Sequence, residues 1–149
     1  MYLLDTDTLT HLQFGNSNVV EKLRMNEDSE FGIIIVTKVE ILRGRIEYLL
    51  KAEDGMNLLK AQELSFRIEA LLSDLLVIPV DRAASVEFDR LRTVSKFRKI
   101  GRADLLIASI TLANRAVLVT RNLRHLSKFL LESRKLGRSI NLNLYKFGV

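Results

Sequence analysis

Short apolar runs alternate along the chain with longer segments in which apolar residues recur every three or four positions. The runs, each typical of a buried β-strand, are YLL (2–4), FGIIIV (31–36), LLVIPV (75–80), AVLVT (116–120) and INLNLY (140–145). The segments between them predict helices over 18–25, 38–52, 56–75, 83–97 and 103–115, and the chain also turns helical directly after the first run. This alternation predicts an α/β fold with a mainly parallel sheet, because crossover helices connect its strands.

A helical hairpin is predicted over residues 38–74. The tripeptide EDG at 53–55 interrupts the helical periodicity there, and Gly55 suits a turn or the end of a helix. The hairpin is an insertion in the simple strand–helix alternation. Its leucines and isoleucines exceed what one small sheet face needs, so we expect most of them to pack in the core and some to contact a partner chain.

Length and composition narrow the class of protein. The chain has 149 residues, enough for one domain over 1–149 with its own core, and no linker interrupts it. It contains no cysteine, which excludes a disulfide framework, a thiolate zinc site and a cysteine nucleophile. No apolar run approaches the roughly 20 residues that a membrane helix needs, and the first residues carry no basic export signal. We therefore expect a cytoplasmic protein that is not attached to a membrane.

The charge is distributed unevenly. Residues 1–80 hold 8 Lys and Arg against 13 Asp and Glu, whereas residues 81–149 hold 15 against 5, which makes the two parts −5 and +10. Such a basic half attracts polyanions, of which the nucleic-acid backbone is the commonest inside a cell. The alternative is a solvated basic face without a ligand.

Polar residues capable of metal or phosphate chemistry follow the predicted strands. These residues are Asp5, Asp7, Glu40, Asp104, Thr120, Asn122 and His125. Ligands of parallel sheets bind beyond the carboxyl ends of the strands, so we expect these segments to meet at one edge. Each carboxylate alone also suits a helix cap or a helix-dipole contact. Together, in a chain without cysteine, they favour a hard-oxygen site for Mg²⁺ or Mn²⁺.

The first of these stretches also resembles a phosphohydrolase motif. DTDTL at 5–9 matches the DxDxT motif of haloacid-dehalogenase-like phosphohydrolases, in which the first Asp attacks phosphorus. That family also needs an acidic pair after a later strand, and Glu132 is the sole acidic residue downstream of Thr120. This alternative is therefore disfavoured.

Four stretches in order, YLLDTDTLTHL, VTKVEILRG, IGRADLLIAS and VLVTRNLRHLSKF, resemble the four motif regions of PIN-domain nucleases, in particular VapC-type toxins of bacterial toxin–antitoxin pairs. The resemblance implies a three-layer α/β/α domain and a metal-dependent endoribonuclease that cleaves RNA with a metal-activated water. It implies that Asp5, Glu40 and Asp104 hold Mg²⁺ or Mn²⁺, and that Thr120 and Asn122 orient the water or the scissile phosphate.

The sequence departs from the family pattern at two positions. Asp7 stands where the family usually has Asn, and His125 stands where many members have an acidic residue. Both are further candidate metal ligands, and for Asp7 the alternative is to hydrogen-bond the ligands without touching the ion. The second departure keeps an alternative open, in which the chain is a catalytically idle PIN domain that serves as an RNA- or protein-binding scaffold.

The resemblance also implies partners: RNA, a cognate antitoxin and a second copy of the chain. The candidate RNA contacts are Arg102 and a group that we call the C-terminal basic cluster, which comprises Arg121, Arg124, Lys128, Arg134 and Lys135.

Overall fold

The sheet lies at the centre of the computed structural model, which describes residues 1–15, 17, 20, 21, 30–120, 126 and 129. Its strands within these residues are β1 (Tyr2–Leu4), β2 (Phe31–Ile34), β3 (Leu76–Ile78) and β4 (Val117–Val119). They pair in the order β3–β2–β1–β4, and every pair is parallel. The predicted α/β fold with a mainly parallel sheet is confirmed. The fifth predicted strand, 140–145, lies outside the described residues.

Helices connect these strands. They are α1 (Thr6–Gln13), α2 (Ile35–Leu50), α3 (Gly55–Asp74), α4 (Arg82–Thr93) and α5 (Arg102–Ala113), with a 3₁₀ turn at Ser95–Phe97. The predicted hairpin is confirmed as α2 and α3, and Asp54 caps α3 by accepting a hydrogen bond from the N–H of Asn57. The helix predicted over 18–25 falls largely outside the described residues. No helix in the described part of the chain is long and apolar enough to cross a membrane.

The two faces of the sheet are covered by different helices. Successive strand residues point to opposite faces, so Leu3 packs into a core with α4 and α5, while Leu4 packs into a second core with α1, α2 and α3. Both leucines are almost completely buried. Helices on both faces of one sheet make the three layers that the resemblance implied.

Two predicted boundaries are wrong. The helix predicted over 83–97 ends at Thr93, and a 3₁₀ turn follows at Ser95–Phe97. The apolar run at 31–36 predicts a single strand, but β2 ends at Ile34 and α2 begins at Ile35 without an intervening loop. Ile35 and Val36 pack against the core as helical residues. A continuous apolar run suits a buried strand and the buried start of a helix equally, so periodicity does not separate them.

A tight turn joins α5 to β4. Arg115 has a φ of 49°, in the left-handed region, and its N–H donates to the carbonyl of Leu112, while the N–H of Ala116 donates to the carbonyl of Thr111. These two bonds form a Schellman motif, whose left-handed position is usually occupied by glycine. The turn directs β4 back along β1 and so sets the position of Thr120.

Candidate metal centre

Hydrogen bonds to α1 and to the end of β4 hold Asp5 in place. It directly follows β1, and its N–H donates to the carbonyl of Val119 at 3.1 Å. Its Oδ1 accepts a hydrogen bond from the N–H of Thr8 at 2.8 Å, and its Oδ2 accepts one from Oγ1 of Thr120 at 2.5 Å. Asp5 is only 7% exposed and Thr120 is completely buried. Asp5 therefore caps α1, as the simpler interpretation predicted, and also presents a fixed carboxylate at the carboxyl end of β1.

Glu40 reaches the same edge from α2. Because α2 begins three residues earlier than predicted, Glu40 lies in its second turn rather than its first. The side chain is exposed, and its Oε2 accepts a hydrogen bond from Oγ1 of Thr6 at 2.6 Å. Thr6 is the first residue of α1, so this bond joins the two helices.

Asp104 enters from α5, on the other face of the sheet. It is the third residue of that helix, whose N-cap is Gly101, so the simpler interpretation of Asp104 alone as a helix cap is wrong. Its carboxylate turns back toward the helix start, since Oδ2 lies 3.9 Å from where a Cβ on Gly101 would be. Arg102, the first residue of α5, is exposed.

These side chains line one open cavity of about 160 Å³ at the carboxyl edge of the sheet. Its lining consists of Asp5, Thr6, Asp7, Glu40, Asp104, Ile107, Thr120 and Leu126. The structure thus brings together five of the predicted site residues from four elements of the fold. Asn122, His125 and the C-terminal basic cluster lie outside the described residues, and Arg102 is not part of the lining.

The donor set of this cavity fits a hard divalent cation. Its four carboxylates and two threonine hydroxyls are oxygen ligands of the kind that Mg²⁺ and Mn²⁺ prefer. In the part of the chain that the structure describes, no ion pair involves Asp5, Asp7 or Glu40. In the same part, no three His, Asp or Glu side chains stand close enough together to hold an ion as they are placed. The carboxylates are therefore spread along the cavity.

Comparison with solved structures gives matches over most of the chain. VapBC2 from Rickettsia felis, bound to a promoter DNA fragment, matches with a TM-score of 0.67 and 22% identity, over 85% of this chain and 91% of that one. FitAcB from Neisseria gonorrhoeae matches with a TM-score of 0.67 and 20% identity, over 87% and 93%. VapBC-1 from nontypeable Haemophilus influenzae matches with a TM-score of 0.64 and 20% identity, over 88% and 92%.

The chain has the PIN-domain fold of VapC-type toxins. The resemblance predicted from the four motif stretches is confirmed at the level of that fold. No protein-family model and no curated protein matches the sequence.

Sequence patterns did not identify the contacts that two threonines make with the candidate site residues. Thr6 donates to Glu40, and the N–H of Thr8 donates to Asp5. The role of Thr8 has a sequence signal, because a capping Asp usually accepts from the residue three positions later. The role of Thr6 has none, since its partner lies 34 positions away on another helix.

Proposed function

We propose that this protein is a metal-dependent endoribonuclease, the toxin of a VapBC-type pair, acting in the cytoplasm through one nuclease domain over residues 1–149. The observation that supports this proposal most is the convergence of Asp5, Asp7, Glu40 and Asp104 on one cavity. Carboxylates that line one cavity repel one another, and a cation bound between them would offset that repulsion.

In this proposal Asp5, Glu40 and Asp104 hold Mg²⁺ or Mn²⁺, and Asp7 and His125 are further candidate ligands. When bound, the ion stabilises the negative charge that develops on the scissile phosphate and activates water for the attack. The Thr120 hydroxyl donates a hydrogen bond to the Asp5 carboxylate, so Thr120 influences the reaction by holding Asp5 in position. Asn122 orients the water or the phosphate.

RNA binding is assigned to Arg102 at the start of α5 and to the C-terminal basic cluster. The basic second half of the chain supports this assignment, because Lys and Arg neutralise backbone phosphates. Arg102 is exposed in the first turn of α5, two residues before Asp104.

We propose that protein partners bind to the helical hairpin formed by α2 and α3. Large apolar side chains are exposed along α2 and α3, including Ile46, Leu50, Met56, Leu59 and Phe66. Exposed apolar surface of this kind is typical of protein interaction sites. One of the matched structures is described as a toxin–antitoxin complex from Klebsiella pneumoniae. We therefore propose a cognate antitoxin and a second copy of the chain as partners.

The test of the proposed chemistry is Asp104→Asn. This change keeps the shape of the side chain and removes its charge, so we expect RNA cleavage to be abolished while the far-UV circular dichroism stays that of the wild type. Asp74→Asn is the matched control, because Asp74 is exposed at the end of α3, outside the cavity lining. Full cleavage by a folded Asp104→Asn protein would contradict the site assignment.

The product ends provide a second readout. Attack by an activated water leaves 5′-phosphate and 3′-hydroxyl ends, and cleavage should stop when EDTA removes the metal. Ends bearing a 2′,3′-cyclic phosphate would instead indicate attack by the ribose hydroxyl, without a metal.

A catalytically idle scaffold remains the second candidate function. It is favoured by the spread of the carboxylates, no three of which are gathered around one point within the described residues. RNA binding without cleavage in either Mg²⁺ or Mn²⁺ would select this alternative. The phosphohydrolase alternative stays disfavoured, because Glu132 is the sole acidic residue downstream of Thr120.

A further inference from the structure

The hydroxyl of Thr6 joins α1 to α2 at the cavity. Its Oγ1 donates to Oε2 of Glu40 at 2.6 Å, which is within the range of a charge-assisted O–H···O⁻ bond. Both residues line the cavity. The bond therefore positions Glu40, which is the one candidate metal ligand on α2. Its donor, Thr6, is the residue that follows Asp5 in the chain.

The side chains of Thr6 and Glu40 differ in conformational freedom. Thr6 is half-buried at the first position of α1, and its β-branched side chain has few rotamers. Glu40 is exposed, and a long glutamate side chain loses much rotamer freedom when it is held in one place. Thr6 is thus the fixed partner, and Glu40 is the side chain that it orders.

Asp5 and Thr6 share the start of α1. The carboxylate of Asp5 is held by Thr8 and Thr120, and the residue that follows Asp5 holds Glu40. One short piece of backbone therefore sets the position of two carboxylates from different elements. Each Glu40 oxygen has two lone pairs, so accepting from Thr6 leaves capacity for a cation.

We propose that Thr6 is a positioning residue that orders Glu40 for cation binding; this rests on the proposed function. Groups that orient metal ligands in this way typically change metal affinity 10- to 100-fold when removed. If Thr6 instead competes with the cation for the Glu40 carboxylate, removing the Thr6 hydroxyl would tighten cation binding.

The experiment measures Mn²⁺ affinity of the full chain by isothermal titration calorimetry, with no RNA present. Thr6→Val keeps the β-branch and removes the hydroxyl, and we expect it to weaken Mn²⁺ binding about tenfold. Thr6→Ser restores the hydroxyl and should recover most of that affinity. The control is Thr93→Val, because the Thr93 hydroxyl donates to the carbonyl of Arg90 on α4, outside the cavity lining.

A double-mutant cycle with Glu40→Gln separates positioning from a structural role. If Thr6 acts through the charged Glu40 carboxylate, Thr6→Val should have little further effect in the Glu40→Gln background. An equal loss in both backgrounds, or unchanged or tighter binding by Thr6→Val, overturns the inference.

The outcomes also separate this inference from the proposed function. If the wild type binds Mn²⁺, Asp104→Asn does not, and Thr6→Val binds like the wild type, only the role of Thr6 fails. If the wild type does not bind Mn²⁺ at all, the metal centre and the inference are both refuted.

Discussion

The buried hydrogen bond from Thr120 to Asp5 has a predictable effect on stability. Thr120→Val replaces the hydroxyl by a methyl group of similar size, so it creates no cavity and removes the donor to Asp5 Oδ2. Asp5 is 7% exposed, which limits replacement of that donor by water. A hydrogen bond to a charged group contributes about 1.5–3 kcal/mol, so we expect the free energy of unfolding to fall by about 2 kcal/mol.

The matched control is Thr111→Val on α5. Thr111 is 2% exposed, and its Oγ1 donates to the carbonyl of Ile107 at 2.7 Å. That carbonyl is neutral and is also the ordinary helical acceptor for the N–H of Thr111. Because the acceptor keeps a partner in the variant, we expect a loss below about 1 kcal/mol.

The assay is thermal and urea unfolding of the full chain, followed by circular dichroism in EDTA. With an unfolding entropy of about 2.1 cal/mol/K per residue, a loss of about 2 kcal/mol lowers Tm by about 6 °C in a chain of this length. Equal losses in the two variants would refute the reasoning, because they would show that the charge of Asp5 adds nothing to the bond. An unchanged Tm in Thr120→Val would refute it as well.

Three further predictions concern the α5–β4 turn, the fourth motif and the basic half. Arg115→Gly should raise the free energy of unfolding by about 1 kcal/mol, because glycine adopts the left-handed conformation without a Cβ clash; an unchanged or lower urea midpoint would contradict this. His125→Asp should increase Mg²⁺-supported RNA cleavage relative to Mn²⁺-supported cleavage, since carboxylate is the harder ligand; an unchanged ratio would place His125 away from the ion. Charge reversals in the C-terminal basic cluster should each reduce the log–log salt dependence of RNA affinity by about one; a salt-independent wild-type affinity would contradict the assignment.

Much of the fold could be predicted because apolar runs and polar strand ends carry the information locally. The run at 2–4 predicted β1, and the carboxyl-edge rule predicted that Asp5, Glu40 and Asp104 would face a common cavity. The boundary between β2 and α2 could not be predicted, because Ile35 and Val36 are apolar in either structure. The catalytic and RNA-binding roles of these residues stay predictions.

The partners of the site residues were harder to predict than the residues themselves. Thr120 was a candidate from its place after the fourth apolar run, but its bond to Asp5 depends on β4 pairing beside β1. The bond from Thr6 to Glu40 depends on how α1 and α2 pack, which no spacing in the sequence encodes. Sequence patterns indicate which edge of a sheet a residue occupies, whereas side-chain partners follow from tertiary packing.

The pairing of β1 with β4 also has a consequence for the order of events during synthesis. The side chains of Asp5 and Thr120 are joined across 115 positions, so Asp5 is made first and its carboxylate acquires its buried donor only after Thr120 has been added. At roughly 5–20 residues per second, translation of that interval takes roughly 6 to 23 seconds. A growing chain that already carries Asp5 and Glu40 still lacks β4 and Thr120, the residue after β4 that lines the cavity. For a protein proposed to cut RNA, this order means that the cavity is incomplete until Thr120 has been added to the growing chain.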